Sequence, residues 1–263
     1  MSVGDGAIVF KDLAKTYGDV RAVKGVNLVI PRGQICGYLG PNGAGKSTTV
    51  KMATGMIRPT SGTAVVDGFD IAAEPIEAKR RIGVVPETGA LYESLTAREY
   101  LTLVGRLYHV PPHEAAEKIS SFLRLFGIAD VQDRVMSSYS KGMKQRVLIS
   151  AALIHNPSVL FLDEPLSGLD ANTALVLKEL LRELAAQGKT VFYCSHVLEV
   201  VEKVCHRVVI LSHGEVIADG NVEELKHLTS RESLEDVFSR LTSAGDLAEI
   251  VRAFSESVRG GRP

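Results

Sequence analysis

The feature that most restricts the fold of this chain is a glycine-rich run, GPNGAGKS, at residues 40–47. An apolar stretch with the composition of a strand, QICGYLG, leads into it, and a stretch typical of a helix, TTVKMATGM, follows it. The pattern G-x-x-x-x-G-K-[ST] in that setting predicts a loop whose backbone N–H groups surround a phosphate. The chain is therefore expected to contain a phosphate-binding loop where a buried strand passes into a helix.

Each residue type in this loop has its own task at a nucleoside triphosphate. The glycines let the backbone curl around the β-phosphate, and Lys46 reaches the β- and γ-phosphates. The Ser47 hydroxyl is a ligand for Mg²⁺. The residues expected to bind the triphosphate are Gly40, Pro41, Asn42, Gly43, Ala44, Gly45, Lys46, Ser47 and Thr48.

A second motif supplies the acids that such a loop needs. In SVLFLDEP, residues 158–165, four apolar residues precede Asp163 and Glu164. Asp163 at a strand end suits Mg²⁺, held directly or through water. Glu164 is expected to point toward the γ-phosphate, where a carboxylate polarises the attacking water. The two motifs together predict a protein that hydrolyses, or at least binds, a nucleoside triphosphate.

Composition narrows the class of protein further. The chain has 263 residues, of which 45% are hydrophobic and 23% charged, and its net charge is −1. This balance lacks the basic footprint of a nucleic-acid-binding protein, so no nucleic-acid partner is expected. Cys36, Cys194 and Cys205 show no metal-ligand spacing and sit among apolar residues. Buried packing in a reducing compartment is the expected role of all three.

Nothing in the sequence predicts a targeting or membrane-spanning segment. The start, MSVGDGAIVF, lacks the basic residues and the long apolar core of a signal peptide. Apolar runs stay well short of the roughly 20 residues that a membrane helix needs. Any work at a membrane is therefore expected to pass through a partner.

The order of elements predicts an α/β fold. Alternation of strands with helices indicates a mainly parallel sheet covered on both faces. Residues 1–88 and 150–225 are assigned to this core, with an antiparallel β part near residues 1–30.

Helical character replaces the alternation at residues 89–149, which we assign to an insertion. Within it, Thr96 and Glu99 predict a capping box before EYLTLVGRLY, and Gly127 predicts a helix end.

Residues 226–263 are assigned to a helical tail with disordered last residues. Leu234, Val237, Phe238 and Leu241 recur at helical spacing, as do Leu247, Ile250, Val251 and Phe254.

Four further elements make the chain similar to the ATP-binding-cassette (ABC) ATPases over residues 7 to 240. SYSKGMKQR, residues 138–146, resembles the family's signature loop, and SGLD, residues 167–170, its D-loop. CSH ends at His196, placed like the switch histidine, and Tyr17 lies where the family stacks an aromatic ring on adenine. The resemblance implies a P-loop NTPase (RecA-like) core, ATP as substrate and Mg²⁺ as cofactor.

The resemblance also implies a head-to-tail dimer of two cassettes, either two copies of this chain or this chain with another ABC ATPase subunit. Ser140, Lys141 and Gly142 would then contact the ATP held by the partner. Ser167 and Asp170 would signal across the dimer, and His196 would contact the γ-phosphate. The competing interpretation of Lys141, Lys144 and Arg146 is a solvated helix face.

Three positions depart from the family's pattern. Lys141 replaces the first signature glycine, and Met143 replaces the signature glutamine. Lys141 either adds charge near the partner's phosphates or points to solvent, and we favour solvent. Glu87 stands at the usual Q-loop glutamine, so the expected metal set is Ser47, Glu87 and Asp163, where crowding beside Glu164 raises the pKa of one carboxylate unless the metal compensates.

YSKGMKQR, the PET variant at Glu87 and the tail SLEDVFSRLT resemble the group that pairs with ABC-2-type export permeases. This implies a subunit on the cytoplasmic face of the membrane, bound to an integral permease through TGALYESLTAREYL. A soluble ABC ATPase that moves no substrate, for example of the iron–sulfur assembly type, stays open as the alternative. The transported substrate does not follow from the sequence.

Overall fold

The computed structural model describes residues 6–88, 91–229 and 233–242, and within these ranges the strands form two sheets. The strands are β1 (Gly6–Tyr17), β2 (Val20–Pro31), β3 (Ile35–Leu39), β4 (Ser61–Val66), β5 (Phe69–Asp70), β6 (Ile82–Val85), β7 (Val159–Asp163), β8 (Thr190–Cys194), β9 (Arg207–Ser212) and β10 (Glu215–Gly220).

The larger sheet has the order β10-β9-β3-β8-β7-β6 and is parallel except for the β9–β10 hairpin. Its central strands β3, β7 and β8 are buried along their whole length, as expected for a sheet covered on both faces. The smaller sheet, β2-β1-β4-β5, is antiparallel. The predicted α/β class with an antiparallel N-terminal part is confirmed.

Helices connect the strands of the larger sheet and form a separate block. They are α1 (Lys46–Ala53), α2 (Pro75–Arg80), α3 (Ala97–Leu107), α4 (Pro112–Leu125), α5 (Lys141–Leu153), α6 (Ala171–Ala186), α7 (Leu198–Val204), α8 (Val222–Thr229) and α9 (Leu234–Thr242), with short 3₁₀ turns at Ala129–Val131 and Met136–Ser138. None of the helices in the described ranges is long and apolar enough to cross a bilayer.

Helices α3, α4 and α5 pack on one another and lie between β6 and β7 in the chain. The capping box at the start of α3 is confirmed: the Glu99 N–H donates to Thr96 Oγ1 at 3.1 Å, and the Thr96 N–H donates to Glu99 Oε2 at 2.9 Å. Gly127, with φ 65°, follows the end of α4 as expected. Local sequence signals thus fix both ends of the α3–α4 pair.

Two apolar cores hold the layers together. One fills the space between the larger sheet and the helices, where Leu101, Ile119 and Val147 of the helical block meet the sheet. The other lies between the two sheets and includes Phe10 and Phe192, whose ring centroids are 6.0 Å apart. All three cysteines are free and buried, as predicted.

Arg207 ties the two sheets together at one edge. Its Nε and Nη2 each donate to the Asp219 carboxylate at 2.6 Å, and its Nη1 donates to the Val29 carbonyl at 2.7 Å. A bidentate guanidinium–carboxylate pair holds its geometry better than a single contact. The β9–β10 hairpin is therefore fixed against strand β2 of the smaller sheet.

The tail continues the fold as far as Thr242. Leu234 and Val237 of α9 are buried, and α9 packs against α7. The first of the two predicted apolar patterns is thus a helix that covers the core. The second, from Leu247 to Phe254, lies outside the described residues.

His155 joins the helical block to the larger sheet. Its ring stacks on Tyr108, next to the end of α3, with centroids 3.6 Å apart and an interplanar angle of 14°. The Nε2–H donates to the Ile82 carbonyl at 2.9 Å, while the buried Nδ1 has no partner among the described residues. Burial lowers the pKa of His155 to about 4, and the charges of Lys118 and Lys189 act in the same direction. The ring is therefore neutral at pH 7.

This neutral ring makes stability depend on pH. The unfolded chain takes up the proton near pH 6.5, whereas the folded chain resists it until about pH 4. The contribution is therefore full above pH 6.5 and is lost as the pH falls toward 4. Between pH 7.5 and pH 5, we expect the free energy of unfolding to fall about 2 kcal/mol more in the wild type than in His155→Phe. Denaturant titrations at both pH values measure this, and parallel pH profiles would contradict it.

Candidate nucleotide site

The glycine-rich loop lies between β3 and α1, as predicted, and its glycines are needed for close backbone contacts. A Cβ on Gly40 would lie 2.4 Å from the Leu211 carbonyl oxygen, and one on Gly45, at φ 109°, would lie 2.4 Å from that of Ala22. Any side chain at these positions would push the loop away from β9 and β2. The loop conformation therefore depends on glycine at both ends of the turn.

Lys46 begins α1 and turns back over the loop. Its Nζ donates to the Gly40 carbonyl at 2.6 Å and to the Pro41 carbonyl at 3.1 Å. The loop N–H groups and the start of α1 add partial positive charge beside this ammonium group. The loop is thus arranged to receive a polyanion.

A cavity of about 560 Å³ opens over the loop. Most of the predicted nucleotide and catalytic residues line it together: Gly40, Pro41, Asn42, Gly43, Gly45, Lys46, Ser47, Thr48, Glu87, Asp163, Glu164 and His196. Ala44 lies behind the loop, buried, and its carbonyl accepts the Gly214 N–H at 3.0 Å. Tyr17 lies outside the lining, at the end of β1, with 48% of its surface exposed. Ala22, on the hairpin strand that follows Tyr17, does line the cavity.

Three oxygen-bearing side chains share one side of the cavity, and they suit Mg²⁺. Ser47, at the start of α1, hydrogen-bonds to Asp163, the buried last residue of β7. Burial is the largest cause that raises the pKa of Asp163, and the charges of Glu87 and Glu164 raise it further. A hydroxyl and crowded carboxylates are ligands that a hard divalent cation prefers. Ser47, Glu87 and Asp163 therefore fit a bound Mg²⁺, the ion predicted for them.

Glu164 and His196 are paired with each other. Glu164 has φ 50°, and its N–H donates to the Cys194 carbonyl at 2.9 Å, which fixes the turn after β7 against β8. Glu164 Oε1 accepts the His196 backbone N–H at 2.8 Å and lies 2.7 Å from His196 Nδ1. Oε1 of the proposed base is thus engaged by the backbone N–H and by Nδ1 of the proposed switch residue.

Two residues at the site were not found from the sequence. Ser195 is buried, and its hydroxyl donates to Glu164 Oε2 at 3.1 Å while its Oγ accepts the Val197 N–H at 3.1 Å. Its place directly before His196 was the one available signal. Phe238, from the tail helix α9, lines the cavity beside Leu198. The apolar pattern of α9 predicted a buried face but did not predict that Phe238 would line this cavity.

The signature residues lie outside this chain's own nucleotide cavity. Ser140 caps α5, since its Oγ accepts the Met143 N–H at 3.2 Å, and Lys141 is exposed to solvent. Gly142 is buried against the D-loop: a Cβ on it would lie 2.3 Å from the Gly168 carbonyl oxygen. The signature and D-loop backbones are therefore in direct contact.

Lys144 and Arg146, the last two basic residues of the signature loop, form ion pairs within the chain. Arg146 pairs with Asp170 and donates to the Phe126 carbonyl at 3.0 Å, while Lys144 lies 2.6 Å from Glu93. Asp170 caps α6, and its hydrogen bonds to Thr173 lower its pKa. A freely solvated face therefore does not describe Lys144 and Arg146.

The D-loop turn begins next to Glu164, because the Ser167 N–H donates to the Glu164 carbonyl at 3.1 Å. Ser167 therefore lies between the turn at Glu164 and the Gly168 contact with the signature loop. The described geometry connects these loops within one chain.

Gly142→Ala tests the contact between the signature loop and the D-loop. The added methyl meets a backbone carbonyl that cannot turn aside, so we expect a loss of about 1–3 kcal/mol in the free energy of unfolding. Gly105→Ala, in α3, is the matched control, because its Cβ would lie 3.4 Å from Ala115 and fits. Denaturant unfolding measures the free energy of unfolding of both variants and the wild type. A Gly142→Ala variant as stable as the Gly105→Ala control would contradict the contact.

Comparison with known proteins identifies the family of this chain. The model of the ABC transporter family matches residues 23–167. The chain is 39% identical to the ABC transporter ATP-binding protein NatA of Bacillus subtilis, over 88% of this chain and 96% of that protein. It is 40% identical to the daunorubicin/doxorubicin resistance ATP-binding protein DrrA of Streptomyces peucetius, over 84% of this chain and 67% of that protein.

Solved structures show the same architecture. An ATP-binding subunit of an ABC transporter superposes with a TM-score of 0.86 at 32% identity, covering 90% of this chain and all of that one. A dimeric ATP-binding cassette in a post-hydrolysis state, bound to ADP and Pi, gives 0.75 at 29% identity, covering 81% and 98%. With its P-loop, its Asp163–Glu164 pair and His196 on one cavity, the chain belongs to the ABC transporter family of ATP-binding cassettes.

Proposed function

We propose that this chain is the ATP-hydrolysing subunit of an ABC transporter and that it works as a head-to-tail dimer around two ATP molecules. One observation carries the proposal: the phosphate loop, the acids and the switch histidine share a single cavity, while Ser140 and Gly142 lie outside it. The signature loop is then free to complete the site of a second cassette. A dimeric relative bound to ADP and Pi supports this arrangement.

Within one cassette, the chain positions the triphosphate and the water. Backbone N–H groups of residues 40–47 and the Lys46 ammonium group hold the β- and γ-phosphates, so that catalysis relies on fixed geometry and charge. Glu164 accepts a proton from the attacking water, and Ser195 holds the Glu164 carboxylate in place through Oε2. Ser47, Asp163 and Glu87 would hold Mg²⁺, whose charge offsets that of the phosphates when it is bound.

The Glu164–His196 pair gives this cassette a resting state. In the described geometry, His196 Nδ1 and the His196 backbone N–H both engage Glu164 Oε1. When His196 Nδ1 leaves Glu164 as the ring turns toward a γ-phosphate, a lone pair on the carboxylate becomes free for water. We propose that this exchange of partners by His196 is the step that prepares the site for hydrolysis.

Removal of the base tests the dimer. Glu164→Gln keeps the shape of the side chain but cannot take the proton, so Mg·ATP should hold the dimer closed. Gel filtration with light scattering should show a particle of twice the monomer mass of 28.3 kDa with Mg·ATP, and the monomer without nucleotide. Adding Ser140→Arg should abolish that dimer, because the substitution replaces the hydroxyl proposed to cap the partner's phosphate with a larger, charged side chain.

Ser121→Arg is the control for this experiment, since it makes the same change on the exposed face of α4. A dimer that survives Ser140→Arg would overturn the proposed role of the signature loop. A monomer under every condition would mean that closure needs a different cassette.

We propose further that the cassette drives a separate integral membrane permease, that it sits at the cytoplasmic face through that permease, and that transport is export of the ABC-2 type. The similarity to proteins named for drug resistance, such as DrrA, supports this. The proposed contact surface includes Tyr92, which is 66% exposed and lies with its ring 6.3 Å from that of Tyr100. A soluble ABC ATPase of the iron–sulfur assembly type is the rival function.

Co-purification separates the two functions. A tagged chain, extracted from native membranes in mild detergent, should carry a protein of about six membrane spans, and Tyr92→Ala should reduce its yield severalfold. Val20→Ala is the control, because it trims a side chain that is also 66% exposed but lies on the β1–β2 hairpin, outside the proposed contact surface. Recovery from the soluble fraction with iron–sulfur assembly proteins would favour the rival.

A further inference from the structure

Lys15 and Tyr17 contact each other at the end of strand β1. The pairing of β1 with β2 shifts register between Lys15 and Thr16, and the Lys15 ammonium nitrogen lies 5.2 Å from the centroid of the Tyr17 ring. This is within the range at which a cation is attracted by the face of an aromatic ring. One side of the Tyr17 ring is therefore in contact with a positive charge.

The ammonium group of Lys15 is also fixed by the backbone. Its Nζ donates to the Arg58 carbonyl at 2.7 Å. The segment that carries this carbonyl is joined to β1, since the Thr60 N–H donates to the Ala14 carbonyl at 2.8 Å and the Thr16 N–H donates to Thr60 Oγ1 at 3.0 Å. The position of the cation is thus determined from the strand and from the neighbouring loop.

The loop that carries Arg58 follows the phosphate-binding helix in the chain. Helix α1 starts at Lys46 and ends at Ala53, and Arg58 follows within the same connection to β4. Lys15 therefore links two parts of the molecule: the helix that holds the phosphates and the β1–β2 hairpin that carries Tyr17. The same hairpin supplies Ala22 to the cavity wall.

We infer that Lys15 is a positioning residue for the nucleotide base: it holds the Tyr17 ring so that the ring's other face receives the purine. The inference rests on the proposed function, ATP hydrolysis, and on the family resemblance by which Tyr17 would stack on adenine. Tyr17 is 48% exposed and stands beside the turn at Gly18, so little else restrains its ring in the described structure. Fixing the ring before the base arrives lowers the ordering cost of binding.

The test compares a ligand that has the base with one that lacks it. ADP and inorganic pyrophosphate both bind the phosphate loop, and only ADP brings the purine. Calorimetric titration gives the Kd of each for the wild type, Lys15→Met, Lys15→Arg, Lys11→Met and Tyr17→Ala. Lys11→Met removes the same charge from an exposed position on the same strand, so it controls for the general loss of positive potential.

Lys15→Met should raise the Kd for ADP about threefold to fivefold and leave that for pyrophosphate within twofold. Lys15→Arg should restore the affinity for ADP, since a guanidinium also binds an aromatic face and a carbonyl. Lys11→Met should change neither. Tyr17→Ala should raise the Kd for ADP about tenfold or more, because the purine loses the aromatic ring on which it would stack.

The outcomes distinguish a failure of the Lys15 role from a failure of the base site at Tyr17. If Tyr17→Ala weakens ADP selectively and Lys15→Met does not, Tyr17 is the platform and the role of Lys15 is overturned. An equal loss for ADP and pyrophosphate in Lys15→Met overturns it as well, since that is a structural or electrostatic effect on the loop. If Tyr17→Ala leaves ADP unaffected, the proposed base site itself fails, and the inference fails with it.

Discussion

The site depends on one geometric constraint, the common edge at which the parallel strands of the larger sheet end. Strands β3, β6, β7 and β8 run in one direction, so the segments that follow them meet. The phosphate loop follows β3, Glu87 follows β6, Glu164 follows β7 and His196 follows β8. Burial of the central strands holds this edge in register, and residues far apart in sequence then share a cavity.

Much of this could be predicted from the sequence, because the signals are local. A strand, a glycine-rich turn and a lysine-bearing helix stand side by side in the chain, and the acids follow an apolar strand without a gap. The capping box of α3 is equally local, with its two partners three residues apart. The assignment of the acids to the phosphate loop followed from what such a loop needs, and that of Glu87 and His196 from the family resemblance.

What the sequence did not predict depends on tertiary contacts. Arg146 meets Asp170 across 24 residues, and Gly142 meets Gly168 through backbone atoms that carry no side-chain signal. Ser195 acts on Glu164 only because β7 and β8 are neighbours in the sheet. Phe238 reaches the cavity because α9 folds back onto α7. Periodicity identifies an apolar face but does not name the surface that it covers.

Phe238 makes the tail of the chain part of the nucleotide site, and this has a thermodynamic consequence. Any molecule that shifts α9 also shifts the wall of the cavity and so changes the affinity for nucleotide. Because binding free energies are reciprocal, nucleotide must alter the affinity of that molecule for the tail by the same factor. Through α9, the occupancy of the cavity and the binding of such a molecule to the tail are therefore coupled.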